Sequence, residues 1–156
     1  MSNHEVDIYT DGSCHTQLKV GAWAAILFAY GQSFSLSGIV QQTTHNAMEI
    51  LAVIKAFEFL EEKYPEVAVV TLFTDSQYVV GLLQTPKKTN DFFSPKAKRN
   101  DALAAQLQLL AAGYLLRVEK VKAHVKALPD HENYNRNADK LCRKIMREAV
   151  QQMERK

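Results

Sequence analysis

Two acidic residues follow stretches that have the pattern of β-strands. Apolar and polar residues alternate over Val6–Thr10, as in a half-buried strand, and Asp11 comes next, before a Gly-Ser pair expected to end the strand. The β-branched, apolar run Val67–Phe73 is typical of a central strand buried on both faces, and Asp75 follows it. Two carboxylates are therefore expected at carboxyl ends of strands, where ligands of parallel sheets gather.

Two further acids lie in helical segments, on or beside the apolar side. In the predicted helix Asn46–Lys63, the residues three, four and seven positions after Glu49 are apolar, which places this carboxylate on the core-facing stripe. In the predicted final helix, Asn135–Met153, Asp139 lies at the edge of the apolar arc, near the N-terminus. A buried charge is costly unless a cation meets it, so both a buried salt bridge and a bound metal ion are consistent with Glu49.

A cluster of these four acids would suit divalent metal ions. Carboxylates brought together without cations repel one another and raise each other's pKa values. All-oxygen ligands suit Mg²⁺ or Mn²⁺ rather than Zn²⁺, and two such ions can activate a water and stabilise the leaving oxygen in phosphodiester cleavage. The sequence contains no glycine-rich phosphate loop, no Cys/His metal spacing and no G-x-S-x-G elbow that would indicate another chemistry.

The order of predicted elements is that of an α/β protein. Three strands come first as an antiparallel meander, and the Tyr30-Gly31-Gln32 break favours a tight hairpin between the second and third. Thr43 or Thr44 is a plausible cap for the first helix. A helix after Val67–Phe73 favours a crossover, which makes that strand parallel to the first. The remaining predicted elements are strands Gly21–Tyr30, Gln32–Val40 and Tyr114–Val121, helices Gln77–Leu83 and Asn100–Ala112, and the loop Lys122–Tyr134.

Length and composition indicate a globular protein. The 156 residues, 47% hydrophobic and 23% charged, fit a single domain over residues 1–156 with a core at about 5–150. No apolar run is long enough to span a membrane and the N-terminus lacks the pattern of a signal peptide, so we expect a cytoplasmic protein without a membrane partner. No heptad repeat or large apolar patch favours a dimer, so a monomer is expected.

The net charge of +2 is too small to indicate a nucleic-acid partner by itself. Its distribution is more informative, because basic residues cluster in the loop-like stretch 84–99 and along the final helix. Such clusters form solvated faces or contact a phosphate backbone, and the sequence leaves both open. The residues are Lys87, Lys88, Lys96, Lys98 and Arg99 in the stretch, and Lys140, Arg143, Lys144 and Arg147 in the helix.

Four motifs that contain the acids closely resemble type 1 ribonuclease H. They are YTDGSC at 9–14, TTHNAMEILA at 43–52, FTDSQYV at 73–79, and VKAH at 121–124 followed by NADKL at 137–141. The resemblance implies the ribonuclease H-like fold, a five-stranded mixed β-sheet with three antiparallel strands and then parallel strands, flanked by α-helices. It also implies two-metal-ion cleavage of the RNA strand of RNA/DNA hybrids, leaving 5′-phosphate and 3′-hydroxyl ends, with Mg²⁺ or Mn²⁺ as cofactor.

The resemblance also assigns catalytic roles. Asp11 would bridge both metal ions, Glu49 and Asp75 would hold one, and Asp139 would hold the other. His124 matches a mobile histidine that assists proton transfer or product release.

Other positions match residues that contact the nucleic acid. Asn46 and Gln77 match positions that contact the minor groove, and Thr44 matches one that contacts a DNA-strand phosphate. The loop after VKAH is longer than usual, so His131 remains a competing candidate for the role of His124. The full predicted substrate-binding set is Gly12, Ser13, Cys14, Thr44, Asn46, Gln77, Lys87 and Lys88.

Two other classes of function remain open on the same fold. A non-catalytic hybrid-binding module normally loses at least one of the four acids, and all four are present here. A related DNA-processing nuclease lacks a feature in this sequence to favour it. The chain departs from the family pattern after Cys14, where it reads HTQLK at 15–19, at His45, where the family often has Asn, and after Leu83, where the stretch is short and has no tryptophan.

Overall fold

Five strands and four helices make up the part of the chain that the computed structural model describes, residues 5–84, 101–121 and 130–154. In chain order they are β1 (Glu5–Cys14), β2 (Gly21–Ala29), β3 (Gln32–Val40), α1 (His45–Lys63), β4 (Val69–Thr74), α2 (Gln77–Gln84), α3 (Asp101–Ala111), β5 (Leu115–Lys120) and α4 (Asp130–Glu154). The strands form one sheet in the order β3-β2-β1-β4-β5, antiparallel from β3 to β1 and parallel from β1 to β5. The predicted five-stranded mixed sheet is confirmed.

Strand β1 continues past the point where the sequence pattern predicts a turn. Its pairing with β4 ends at Tyr9, whereas its pairing with β2 continues through Asp11, opposite Ala24, as far as Cys14. The Gly-Ser pair therefore lies inside the strand, because β2 satisfies the backbone hydrogen bonds of this segment. The predicted strand end after Thr10 is wrong, and Asp11 lies within β1, two residues beyond the last pair with β4.

The turn between β2 and β3 has two residues. Tyr30 and Gly31 have φ angles of 55° and 73°, and the flanking residues Ala29 and Gln32 pair with each other. Two successive residues with positive φ are typical of the type I′ turn, whose twist matches that of the flanking strands. The predicted hairpin is confirmed.

The largest core lies between one face of the sheet and α1. Thr44 caps this helix, because its hydroxyl oxygen accepts a hydrogen bond from the Ala47 amide at 3.2 Å. Side chains from α1 and α3 pack on β1, β2 and β4, and this burial holds α1 in one position against β1. Core members include Val6, Ile8, Leu27, Ile50, Val53, Phe57, Leu72 and Leu107.

Helix α4 packs on the opposite face of the sheet. Ala138 packs with Tyr9 and Ile26, and the Cys142 thiol donates to the Ala22 carbonyl at 3.3 Å. These contacts place the helix over β1 and β2, on the side of the sheet opposite α1. Among the described residues, no helix is both long and apolar enough to cross a bilayer.

Helix α4 begins five residues before the predicted start at Asn135. Its first residue is Asp130, so Asp139 lies in the third turn and not near the N-terminus. The sequence DHENYN at 130–135 is polar and has no apolar period, which is why the pattern predicts a loop there. The predicted helix boundary is wrong for this reason.

Strand β4 lies between β1 and β5, but only one of its faces is fully buried. Leu72 and Thr74 are buried, whereas Val69, Thr71 and Phe73 on the other face are half-buried. The prediction of a strand buried on both faces is wrong, because α4 covers mainly β1, β2 and β3. The neighbouring strand β5 is an edge strand with alternating partial burial.

Candidate metal centre

Three of the predicted acids meet at one end of the sheet. One carboxylate oxygen from each of Asp11, Glu49 and Asp75 lies within 4.8 Å of the other two. The acids come from β1, from α1 and from the residue after β4, so the packing of these three elements holds them together. Asp11 is 7% exposed and Glu49 is 2% exposed, which means that two of the carboxylates are almost withdrawn from water. The structure thus brings these acids together as the sequence pattern predicts, while their binding of metal stays a prediction.

The carboxylate of Glu49 has one oxygen in use and one that is free. The Gly12 amide donates to Oε1 at 3.0 Å, and the Nε2 atom of His45, one helical turn earlier, lies 3.7 Å from the same oxygen. Oε2 is buried and has no hydrogen-bond partner among the described residues. A buried carboxylate oxygen without a partner is costly, and a cation would remove that cost. Glu49 therefore fits the role of a ligand to a hard divalent cation.

Burial and mutual repulsion raise the pKa values of the two buried acids. Desolvation by burial is the main cause of the raised pKa of Asp11, and the charges of Glu49, Asp75 and Asp139 add to it. Burial also raises the pKa of Glu49, followed by the charge of Asp75, while the hydrogen bond from Gly12 opposes the shift. Without a cation the cluster therefore binds protons more readily than ordinary carboxylates do, and a metal ion would displace them.

The fourth acid reaches the cluster from α4. After burial and the charges of Glu49 and Asp75, the nearby Asp139 side chain also contributes to the raised pKa of Asp11. Its Oδ2 atom also forms an ion pair with Arg143, one helical turn later, at 3.2 Å from Nε. Asp139 is half-buried, so it is the more accessible partner at the edge of the site. The structure therefore places it beside Asp11 and outside the group of three oxygens described above.

The other predicted binding residues surround this cluster. Asn46 and Gln77 are exposed in the first turns of α1 and α2, and the Thr44 hydroxyl serves as the cap of α1. Ser13 is half-buried near the end of β1, and the Cys14 thiol donates to the Thr43 carbonyl at 3.3 Å. The Gly12 amide, as described, is occupied by Glu49. The contacts of these residues with substrate stay predictions.

The remaining predicted site residues lie outside the described residues or in a different element from the predicted one. His124, Lys87 and Lys88 lie outside the described residues, as do Lys96, Lys98 and Arg99 of the basic stretch. The backbone of His131 lies in the first turn of α4, so its predicted position in a loop is wrong. The reason is the early start of α4 described above.

Three polar residues that contact the site were absent from the predicted catalytic and binding set. His45 lies four residues before Glu49, and Arg143 lies four residues after Asp139, which is the spacing of side chains that meet on one helix face. This spacing could have indicated both contacts. The third residue, Lys120, has its Nζ atom 2.9 Å from Oε1 of Gln77, 43 positions earlier, and no local pattern indicates it.

The raised pKa values predict that the metal-free protein loses stability as the pH rises. Between about pH 4, where unfolded carboxyls titrate, and the raised pKa values of Asp11 and Glu49, the folded protein binds more protons than the unfolded chain. The protonated acids contribute fully to the free energy of unfolding below that window, and this contribution is lost as the pH rises through the window. At pH 8 in EDTA, Asp11→Asn should therefore raise the melting temperature by roughly 3–8 °C, since Asn removes about 1–2 kcal/mol of the cost of burying a carboxyl group beside the other acids.

Calorimetry in EDTA and in Mg²⁺ checks this prediction, with Glu148→Gln, an exposed acid of α4, as the control. Mg²⁺ should stabilise the wild type more than Asp11→Asn, because a ligand stabilises the state that binds it. A lower melting temperature of Asp11→Asn in EDTA would show instead that Asp11 forms a stabilising salt bridge.

Comparison with known sequences finds one family along nearly all of the chain. The sequence model of the RNase H family matches residues 3–147. A ribonuclease H of Thermoanaerobacter sp. (strain X514) is 35% identical over 150 residues, which are 91% of this chain and 91% of that protein. A ribonuclease H of Nitratidesulfovibrio vulgaris (strain DP4) is 49% identical over 79 residues, which are 51% of this chain and about half, 48%, of that relative.

Solved structures with the same fold include two ribonucleases H1. The crystal structure of RNase H1 from the halophilic archaeon Halobacterium salinarum NRC-1 has a TM-score of 0.69 at 22% identity, covering 92% of this chain and 98% of that chain. LC11-RNase H1, isolated from compost by a metagenomic approach, has a TM-score of 0.69 at 22% identity and covers 94% and 99%. At this level of identity the likeness shows a shared fold.

Proposed function

Because this chain belongs to the RNase H family, we propose that it hydrolyses the RNA strand of RNA/DNA hybrids. The observation that carries the proposal is the cluster of Asp11, Glu49 and Asp75, two of them buried, in the fold of that family. One oxygen of Glu49 has no hydrogen-bond partner in the part of the chain that the structure describes. In the reaction, water adds to phosphorus and the bond to the 3′-oxygen breaks, which leaves a 5′-phosphate and a 3′-hydroxyl. We further propose, from the sequence pattern, one domain over residues 1–156 that acts as a monomer in the cytoplasm.

The four acids are proposed to hold two Mg²⁺ ions, or Mn²⁺, when substrate is bound. Asp11 would contact both ions, Glu49 and Asp75 would complete one site, and Asp139 would complete the other. Bound divalent cations supply activation of the attacking water and stabilisation of the leaving oxygen. The high negative charge and oxygen-only donor set support a hard divalent cation over zinc.

The protein itself contributes a fixed arrangement of these ligands. Asp11 lies within a strand paired with β2, and the hydrogen bond from Gly12 orients Glu49 from the adjacent helix. Ligands that are already in place lose little conformational freedom when the substrate binds, which lowers the barrier of the reaction. Asp139 is held less firmly, because its partner Arg143 is exposed and shares the same helix.

Recognition of the hybrid is proposed to use residues at the rim of the acidic cluster. Asn46 and Gln77 are exposed beside Glu49 and Asp75 respectively, where a duplex with its scissile phosphate at the acids would pass. The ribose 2′-hydroxyl is the group that distinguishes RNA from DNA at such a site, and Glu49 is proposed to lie near it. Contacts to phosphates and sugars are proposed for Gly12, Ser13, Cys14, Thr44, Lys87 and Lys88.

A comparison of matched duplexes tests the proposed function. One sequence is prepared as RNA/DNA hybrid, as duplex RNA and as duplex DNA, each with a labelled strand, and incubated with the purified protein in Mg²⁺. We expect cleavage of the RNA strand of the hybrid alone, complete loss of cleavage in EDTA, and 5′-phosphate ends that a ligase accepts. Binding of the hybrid without cleavage would favour the non-catalytic module, and cleavage of duplex DNA would favour the DNA-processing nuclease.

His124 is proposed to carry or donate a proton near the leaving oxygen. His124→Ala should then lower turnover by about a hundredfold, the lower end of the range for general acid–base catalysis. Affinity for Mg²⁺ and for the hybrid should stay close to that of the wild type, since a proton carrier contributes mainly to the chemical step. Single-turnover rates over pH 6–9 measure the effect, with His131→Ala as the matched variant. A slower His131→Ala enzyme would transfer the role to His131.

A further inference from the structure

A lysine from the edge strand of the sheet holds an amide beside the acidic cluster. Nζ of Lys120, the last residue of β5, donates to Oε1 of Gln77, the first residue of α2, at 2.9 Å. Gln77 follows Asp75 by two residues and is exposed, so its side chain lies at the rim of the site. The inference below rests on the proposed function, because it concerns how this rim meets a nucleic-acid duplex.

Strand pairing and a second hydrogen bond fix the position of α2 against β5. Lys120 lies opposite Thr74 in the parallel pairing of β5 with β4, and Thr74 is fully buried. At the other end of α2, Nε2 of Gln84 donates to the carbonyl of Val118 at 3.1 Å. The helix is therefore attached to β5 by a side-chain hydrogen bond at each end, and the Gln77 contact is the one that lies next to the acids.

The chemistry of the two side chains determines how the amide is turned. An ammonium group has donors only, so a glutamine bonded to Lys120 must present its carbonyl oxygen to it. The amide NH₂ group of Gln77 is then left as a donor for another partner. In the minor groove every base pair offers acceptors, at purine N3 or pyrimidine O2, whereas guanine also presents the N2 amino group as a donor. An amide fixed in this orientation binds the acceptors and is disfavoured beside the guanine amino group.

We propose that Lys120 is a positioning residue that fixes the Gln77 amide as a minor-groove donor. Without Lys120 the amide can rotate by half a turn and accept a hydrogen bond from guanine as readily as it donates to the other bases. Lys120 thereby contributes to hybrid affinity and to the choice of cleavage sites through Gln77, and has no part in the chemical step.

A double-mutant cycle tests this inference. Lys120→Met, Gln77→Leu and the double variant are compared with the wild type for hybrid affinity in Ca²⁺, for KM and kcat in Mg²⁺, and for the cleavage pattern along a hybrid of mixed sequence. Lys120→Met should weaken binding and raise KM by roughly three- to tenfold with kcat unchanged, as expected for loss of one orienting hydrogen bond. Cleavage should increase at sites that place guanine at the Gln77 position, and Lys120→Arg should restore the wild-type pattern.

The energetic coupling between Lys120 and Gln77 decides whether the inference holds. In the Gln77→Leu background, Lys120→Met should change hybrid affinity by less than about twofold, because the residue through which it acts is gone. Lys55→Met, which removes an exposed lysine from α1, is the matched control and should behave as the wild type. Independent, multiplicative effects of the two substitutions, with a salt slope lower by about one, would show that Lys120 contacts a phosphate directly and would overturn the inference.

Separate measurements distinguish an error in the proposed role of Lys120 from an error in the proposed cleavage activity. A wild-type protein that binds the hybrid but cleaves nothing refutes the enzymatic proposal, while the binding cycle in Ca²⁺ still decides the role of Lys120. Wild-type affinity and cleavage pattern in Lys120→Met would overturn the positioning role and leave the enzymatic proposal intact.

Discussion

Replacing Asp11 by Asn is expected to abolish cleavage while leaving the fold and hybrid binding intact. Asn has the shape of Asp but lacks the negative charge, and Asp11 is the acid that interacts with each of Glu49, Asp75 and Asp139. A ligand proposed to contact both cations contributes several kcal/mol to transition-state stabilisation, which corresponds to a loss of roughly a thousandfold or more in turnover.

Single-turnover cleavage of a labelled hybrid in Mg²⁺ measures this loss, and binding of the same hybrid in Ca²⁺ shows whether the substrate site persists. Glu5→Gln is the matched control, because Glu5 is an exposed acid at the start of the same strand. It should cleave as the wild type does. Turnover of Asp11→Asn within about tenfold of the wild type, or 1.4 kcal/mol of barrier, would contradict the assignment.

Replacing Gly12 by Ala is expected to destabilise the protein and to displace Glu49. A Cβ atom at position 12 would lie 2.5 Å from the Glu49 nitrogen and 2.5 Å from the Met48 carbonyl carbon, both backbone atoms that cannot move as a flexible side chain does. The strand and α1 would have to separate, which would also disturb the hydrogen bond from the Gly12 amide to Glu49. Overpacking together with loss of this charged hydrogen bond should cost about 4 kcal/mol.

Thermal unfolding measures this effect, and a cost of that size corresponds to a fall of roughly 8–16 °C for a protein of this length. Gly81→Ala is the control. Gly81 lies in α2, and outside its neighbours and the backbone of that helix no described heavy atom lies within 4 Å of a Cβ built there. The change should therefore be neutral or stabilising. Cleavage by Gly12→Ala should fall even below its melting temperature, because the ligand Glu49 is moved. An equally stable and active Gly12→Ala variant would refute the close approach of α1 to β1.

Local patterns were sufficient to predict much of this protein. The apolar arc around Glu49 and the break at Tyr30–Gly31 depend on neighbouring residues, and the structure places both features as expected. The half-buried strand predicted from the alternation in β1 is wrong beyond Ile8, because α4 packs on the second face of the sheet and buries Tyr9. The burial of Glu49 illustrates the physical reason. Residues three, four and seven positions apart share one face of a helix, so the residues around an acid in the sequence already determine whether it faces the core.

Contacts between distant segments were beyond the reach of these patterns. The extension of β1 to Cys14 depends on its pairing with β2. The partial burial of one face of β4 depends on which strands α4 covers. The hydrogen bond between Lys120 and Gln77 joins residues 43 positions apart. Periodicity describes which side of an element is apolar but does not identify the partner that will meet it.

The acidic site depends both on residue types that the sequence shows and on contacts that form only in the tertiary structure. The residue types and their motifs in the sequence determined which acids could act and which chemistry they suit. The tertiary structure alone decided that oxygens of Asp11, Glu49 and Asp75 meet within 4.8 Å, that Gly12 orients Glu49, and that Asp139 stands beside Asp11 in contact with an arginine. The reason is that a carboxylate acquires its burial, its neighbours and its raised pKa only when separate elements pack around it.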